Sequence, residues 1–594
     1  MISWKKISQE PVTFLFRKMW SFSVGNRKNV FVYITFFVIS NIFNLLNPIL
    51  IAFFLNELQK NGLSNDNFWY LVMIISGLLA LTLLFWFFHG IGRILETRNA
   101  FMVRYTYQKY LMQGVLDLDL AWHSDRDSGD TIDKINKASE GLYEYSKDTF
   151  QIISTIVGFI GTIVALIYFN PSIALGTFAF MMVGFVVINL FDRRLVPQYT
   201  QLNVYENKIL AKVFDVLSNV TSIIVLKIKN EAIKSIEHSQ LASKPLYYWN
   251  VVLNEWKWFT GSIFFELIVI VPIIAYLAVT LKTGAALQIG TISALYLYLS
   301  RFNDVFFTFT YLYEKIIRQK AKVKNVMDIE TIFPNQIQQA KRCIYKKQLD
   351  ITHLSFNYQT SEKNGRNDLK DVSISFKKGE RIALIGESGS GKTTFLKVLH
   401  GLYKTAQANI VIDGKLLNGT FSDYDFGTML VPQEPELFSS SIRENITFGL
   451  EHSDDEVTKF TDLAHFTHVI NDLPHGLASV INEKGVNLSG GQKQRLALAR
   501  ALLFAQEKEI ILLDESTSSV DSQTEAKIYQ DISSFFVGKT IIASVHKLNL
   551  LKYFDRIVIF HKGEIIDEGT FDDLLDRNKA FRNSWTEYTQ AEKI

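Results

Sequence analysis

The chain has 594 residues, of which 48% are hydrophobic, 13% aromatic and 20% charged, with a mean hydropathy of +0.11 and a formal net charge of +3. That length exceeds what one core fills, the apolar content is high for a water-soluble protein, and the charge content is too high for a chain wholly buried in lipid, so a membrane part joined to a soluble part is implied. The small net charge favours no nucleic-acid partner, and the lone Cys343 excludes an internal disulfide and any multi-cysteine metal site.

In chain order, a basic segment with Lys5, Lys6, Arg17, Lys18, Arg27 and Lys28 precedes the first of six apolar stretches, residues 30–55, 68–88, 152–169, 173–191, 259–281 and 289–309. Each is about 18 to 26 residues, enough to cross a hydrocarbon core of about 30 Å as a helix. The first is too long for a signal-peptide core and is expected to be a retained span. Only Lys60 lies in the loop before the second stretch, so retention of positive charge predicts a cytoplasmic amino terminus. Six spans return the chain to that side, where Lys315, Arg318, Lys320, Lys322 and Lys324 agree. An integral protein of a plasma or inner membrane with both termini cytoplasmic is expected.

Loop lengths add to this. Asn170-Pro171-Ser172 and residues 282–288 predict tight external hairpins, whereas the internal connections of about 60 residues are too long for structureless loops. Residues 93–116 and 206–237 read as helical continuations reaching about 35 Å from the membrane. Unrelated cytoplasmic insertions are the blander reading. Glu266 inside the fifth span and Arg301, Asn303 and Asp304 toward the inner end of the sixth are candidate substrate-cavity residues; a charge at the bilayer centre costs about 2.5–3.5 kcal/mol, so Glu266 should face protein or water. Glu266 either meets a cationic or polar substrate or pairs helices structurally. Arg301 and Asp304, three apart on one face, are expected to pair with each other, and Pro272 to kink the fifth span. The expected division is a transmembrane domain over 1–330, a linker over 331–348 and a nucleotide-binding domain over 349–594, where alternating patterns at 351–358 and 372–376 indicate strands.

The soluble part carries the chemistry. Gly386-Glu387-Ser388-Gly389-Ser390-Gly391-Lys392-Thr393 follows an apolar strand and opens a helix at Thr394, the context of a P-loop. Its glycines let backbone N–H groups turn to phosphate, Lys392 reaches the terminal phosphates, and the Thr393 hydroxyl suits Mg2+. The apolar run Ile510-Ile511-Leu512-Leu513 ends in Asp514-Glu515, placing one carboxylate for the metal and one as general base toward water. A helix starting after Ser489-Gly490-Gly491 would offer its amino terminus to a γ-phosphate. His546, alone, reads as a structural histidine; its place after the strand at 540–543 and downstream of Glu515 favours a catalytic one.

Leu488-Ser489-Gly490-Gly491-Gln492, ahead of the acidic pair, resembles the signature of ABC proteins. On these motifs the chain is similar to exporter-type ABC half-transporters, an α-helical six-span transmembrane domain fused to an α/β P-loop ABC ATPase domain. The resemblance implies ATP and Mg2+ as cofactors. It implies an A-loop aromatic at Tyr358, phosphate contacts at Gly386, Ser388, Gly389, Gly391, Lys392, Thr393 and Thr394, and a D-loop at Asp521. Catalysis would fall to Glu515, His546 and the Q-loop residue Gln433, with Mg2+ held by Thr393, Gln433 and Asp514. Ser489, Gly490, Gly491 and Gln492 would close on the nucleotide of a second subunit, so one chain cannot complete a site. Every motif is intact, which favours a homodimer over a heterodimer; Val545 and Lys547 stand where the family often has Thr and Arg. Ser128-Gly129-Asp130-Thr131-Ile132 and residues 219–231 resemble stretches that dock on the cassette, and Asn482-Glu483-Lys484-Gly485 resembles the segment that meets them. The implied function is ATP-driven export of an amphipathic or hydrophobic substrate, a small molecule, lipid or peptide, by alternating access. An ATP-gated channel or regulator, or an importer with this fold, is the alternative.

Overall fold

The computed structural model describes residues 10–591, apart from 125, 127, 285, 335–339, 359–367, 404–406, 420 and 482–487. The chain divides into two compact units, Met1–Leu116 with Ser128–Phe333, and Asp117–Asp127 with Pro334–Ile594.

The first unit is helical. Six long helices, Arg27–Asn61, Phe68–Leu116, Thr149–Phe169, Pro171–Ser218, Lys244–Thr283 and Ile289–Lys324, contain the six apolar stretches. Their apolar residues run around the circumference, as a surrounding of lipid on one side and protein on the other requires. Leu79, Leu83 and Trp86, for instance, face outward from the second helix. Five stretches, Arg27–Asn61, Phe68–Leu116, Thr149–Phe169, Pro171–Ser218 and Lys229–Thr283, are long and apolar enough by length and composition to cross a membrane. The sixth helix falls short because Arg301, Asn303 and Asp304 interrupt it. Its Ala294, Leu295, Tyr298 and Leu299 are buried within the unit, where polar neighbours are tolerated.

Local chemistry sets the helix ends. Gly62 and Gly284, at φ 60° and 63°, end the first and fifth helices at positive φ, which glycine takes without a Cβ penalty, and Gly284 does so in the left-handed helical conformation. Asn170 ends one helix and caps the next, its side chain accepting from Ser172 N and Ile173 N at 3.1 Å, with Pro171 at the first helical position. Asn56 and Gln59 accept from Gly290 N and Ile289 N at 2.8 Å, joining the end of the first helix to the start of the sixth.

Residues 93–116 continue the second helix without a break. The stretch at 206–237 is broken instead: the helix stops at Ser218, resumes as Val220–Val225 and again as Lys229–Leu241, with Lys227 at φ 56° between. Asn219 turns its side chain back onto the Asp215 carbonyl, the local competition that makes Asn a poor helix-interior residue. Ser128–Ile132 opens the Ser128–Lys147 helix of the first unit, whereas the short helix Leu120–Ser124 groups with the second. The segment Asn482-Glu483-Lys484-Gly485 lies outside the described residues.

The second unit is built on a six-stranded sheet in the order Glu564–Gly569, Arg556–His561, Arg381–Ile385, Thr540–Ser544, Ile510–Asp514, Thr428–Val431, parallel except for the first pair. Strand alternation feeds two cores. Ile382, Leu384, Ile510, Leu512 and Ile542 pack on one face with an antiparallel four-stranded sheet; Ala383, Ile385, Ile511, Leu513, Ile541 and Ala543 pack on the other with the helices. Apolar cover on both faces explains the unbroken apolar run at 510–513.

Candidate functional site

Three neighbouring parallel strands deliver the candidate catalytic groups to one edge of the sheet. Arg381–Ile385 leads into the P-loop, Ile510–Asp514 ends in the acidic pair, and Thr540–Ser544, between them, precedes His546. The carboxyl ends of such strands are where open α/β sheets hold ligands. Here a cavity of about 650 Å³ is lined by Ser388, Gly389, Gly391, Lys392, Thr393, Thr394, Gln433, Glu515 and His546.

The loop's backbone has the required shape. Gly386, Gly389 and Gly391 stand at φ 149°, 76° and 108°, and a Cβ on Gly386 would collide with the Phe560 carbonyl. Lys392 donates to the Gly386 and Glu387 carbonyls at 2.8 and 3.2 Å, while burial pulls its pKa down and the Glu515 and Asp514 carboxylates oppose that. Ser390 Oγ is buried without a partner, a further donor for a phosphate oxygen. Thr393 Oγ1 donates to Asp514 Oδ1 at 2.9 Å, and burial holds the Asp514 carboxyl above its ordinary range. A hydroxyl and a carboxylate side by side, with the Gln433 amide on the same cavity, are the oxygen donors that fit Mg2+.

Glu515 is fixed at both carboxylate oxygens. Gln433 Nε2 donates to Oε2 at 2.7 Å, and His546 Nε2 bonds Oε1. Its backbone stands at φ 48°, a left-handed conformation that costs a non-glycine residue about 1 kcal/mol and persists where surroundings over-determine it. Tyr358 lies beside the cavity, its hydroxyl 3.3 Å from Thr394 Oγ1 and its ring at right angles to those of Phe356 and Tyr403.

Ser489, Gly490, Gly491, Gln492 and Asp521 are not brought to this cavity. Ser489 and Gln492 form a capping box that starts the Gly490–Phe504 helix, and Asp521 caps Ser522–Phe535 by accepting from Thr524 N at 2.9 Å. A residue absent from the sequence motifs joins these segments. Gln494, nearly buried, donates to the Gln433 carbonyl at 3.2 Å and Ser518 Oγ at 3.0 Å, and accepts from Ser519 N at 2.8 Å. Lys547 adds a second tie, donating to the Val520 carbonyl and pairing with Glu525 at 2.8 Å. Asp368, Lys370, Lys562 and Gly563 also line the cavity. They come from strands and turns distant in sequence, and only the paired residues Lys562-Gly563, both at positive φ, carry a turn signal.

In the first unit the candidate cavity residues separate. Arg301 and Asp304 line a cavity of about 500 Å³, Glu266 is exposed elsewhere on the single chain, and Asn303 Oδ1 is buried without a partner. The expected mutual pair of Arg301 and Asp304 does not form. Arg301 donates instead to the Asn44 carbonyl of the first long helix at 2.9 Å; a helical side chain leans toward the helix amino terminus, which turns Arg301 away from Asp304, three residues C-terminal to it.

Comparison with known proteins agrees with this arrangement. Residues 30–305 match the ABC transporter transmembrane region and residues 369–518 the ABC transporter family model. An uncharacterised ABC transporter ATP-binding protein of Bacillus subtilis is 28% identical over 481 residues, 79% of this chain and 81% of that one. A probable multidrug resistance ABC transporter ATP-binding/permease protein of the same organism is 37% identical over 237 residues, 40% of each chain. The structure of a bacterial Atm1-family ABC exporter with ATP bound shares the fold, with a TM-score of 0.77 at 21% identity over 94% of this chain and 99% of that one. With a transmembrane region and an ATP-binding region in one polypeptide, and with the fold of an exporter, the chain belongs to the ABC transporters, integral membrane proteins that couple ATP hydrolysis to transport.

Proposed function

We propose that two copies of this chain clamp two ATP molecules between them, each P-loop facing the partner's Ser489–Gln492 helix terminus, and that clamping turns a cavity between the long helices from one side of the membrane to the other. The observation that carries this reading is the separation described above: the capped amino terminus of the Gly490–Phe504 helix is built to receive an anion yet does not line its own chain's phosphate cavity. The short helix Val220–Val225, with Ile224 and Val225 more than two-thirds exposed, also suits cover by a second copy.

Within each site Mg2+ would sit between Thr393, Asp514 and Gln433, where it neutralises phosphate charge. Glu515, held by Gln433 and His546, accepts a proton from the attacking water; Lys392 and the loop N–H groups balance the charge on the phosphoryl oxygens. The direction proposed is export, of an amphipathic substrate, from a cytoplasm that holds both termini in a plasma or inner membrane. Glu515→Gln should retain ATP binding, trap a dimer and reduce steady-state hydrolysis by at least 100-fold; hydrolysis near wild type would remove Glu515 as the base. ATP-dependent accumulation in inside-out vesicles separates a pump from an ATP-gated channel.

A further inference from the structure

Ser300, Arg301, Asp304 and Thr308 recur on one face of the Ile289–Lys324 helix and line the 500 Å³ cavity together with Asn44 and Asn47 of the first helix. The wall thus carries hydrogen-bonding groups on both sides, set among the apolar Pro48, Ile51, Leu297 and Val305, and one of its polar groups, Asn47 Oδ1, is buried without a partner. Two opposite charges share this wall, close enough to feel each other electrostatically but with no hydrogen bond or ion pair between them. Arg301 makes one hydrogen bond, to the Asn44 carbonyl, which leaves most of its five donors uncommitted. Asp304 has no hydrogen bond or ion pair among the described residues.

Asp304 is exposed on the single chain and Arg301 half-buried, and charges on a membrane-spanning helix are costly unless something compensates them. A purely apolar ligand would compensate neither. A ligand of one sign would satisfy one residue and repel the other. A ligand carrying both signs satisfies both and brings no net charge into the membrane. Residues three apart on a helix stand about 5–6 Å apart at Cβ, which suits an anion and an ammonium joined by a short linker. Resting on the transporter reading above, we propose that this cavity binds a zwitterionic group, its anionic end on Arg301 and its ammonium end on Asp304. The substrate is then a small zwitterion or an amphiphile with a zwitterionic headgroup.

The test uses full-length protein in phosphatidylglycerol liposomes, with ATPase rate followed against butylphosphocholine, the monoanionic diester butyl methyl phosphate, and butyltrimethylammonium. The zwitterion should stimulate saturably and at a concentration about tenfold or more below either singly charged analogue, the scale of one close charge pair. Asp304→Asn should lose the preference for butylphosphocholine over butyl methyl phosphate, and Arg301→Gln the preference over butyltrimethylammonium. Because each is a ratio measured within one protein, a loss of folded protein does not mimic it. Arg301→Lys should restore part of the second ratio. Adding phosphatidylcholine to the bilayer, against adding soluble glycerophosphocholine, distinguishes a lipid headgroup from a free solute as the source. Equal responses to all three analogues in wild-type protein, or unchanged ratios in both variants, would overturn the assignment while the hydrolysis itself leaves the transporter reading standing. Absence of any ATPase in wild-type liposomes would bring both down.

Discussion

Gln494→Ala removes three hydrogen bonds at once, those to the Gln433 carbonyl, Ser518 Oγ and Ser519 N. At a net value of about 0.5–1.5 kcal/mol each, the loss is about 2–4 kcal/mol. The three partners bracket the carboxylate proposed as general base: Gln433 donates to Glu515, and Ser518 and Ser519 follow it in the chain. Gln494 itself does not line the nucleotide cavity. The variant should therefore bind ATP with a KM within about threefold of wild type, while kcat falls about 30-fold if some 2 kcal/mol of positioning is lost from the transition state. Steady-state ATPase in proteoliposomes gives both constants, and calorimetry of the same sample gives the stability change. A kcat within twofold of wild type would refute the reasoning, as would a fall in kcat fully accounted for by a smaller folded fraction.

A Cβ on Gly491 would stand 2.6 Å from the Ser519 carbonyl oxygen, whereas one on Gly490 meets Ser519 only at 3.7 Å, so Gly491→Ala should destabilise by about 1–3 kcal/mol and Gly490→Ala much less, read by calorimetric unfolding. Tyr403→Ala removes a ring from the side of Tyr358 and should raise KM for ATP about 2–10-fold with kcat retained; an unchanged KM would remove Tyr403 from the adenine side of the site. His400 is buried against Thr428, which lowers its pKa to about 4. The unfolded chain then takes the proton first, so stability present above pH 6.5 is lost as pH falls from 6.5 to 4, by about 3 kcal/mol, and levels off below. His400→Gln should flatten that part of the calorimetric pH profile.

What the sequence made legible was chemistry carried by contiguous residues. The P-loop, the acidic pair and the capped Ser489 helix are strings whose meaning depends on a strand before or a helix after, and those neighbours have strong periodic patterns of their own. Gln494 was not legible because its role is set by three partners at separations of 24, 25 and 61 residues. Asp368 and Lys562 reach the cavity from turns for the same reason. Arg301 illustrates the converse: helical spacing correctly places it on one face with Asp304, but spacing alone does not decide which neighbour a long side chain reaches. At 206–237 composition predicted helix; the chain breaks it twice, at Asn219, whose side chain bonds its own backbone, and at 226–228, where Lys227 takes a positive φ.

The distribution of proline among the six long helices has a mechanical consequence. Pro48, Pro197 and Pro272 lie inside the first, fourth and fifth, while Phe68–Leu116, Thr149–Phe169 and Ile289–Lys324 contain none. Each interior proline deletes a backbone hydrogen bond and softens its helix there. Phe68–Leu116, 49 residues or roughly 74 Å at helical rise, is by contrast an uninterrupted rod. Bending compliance is thus concentrated at three points, and the stiff members carry torsion from end to end without dissipating it.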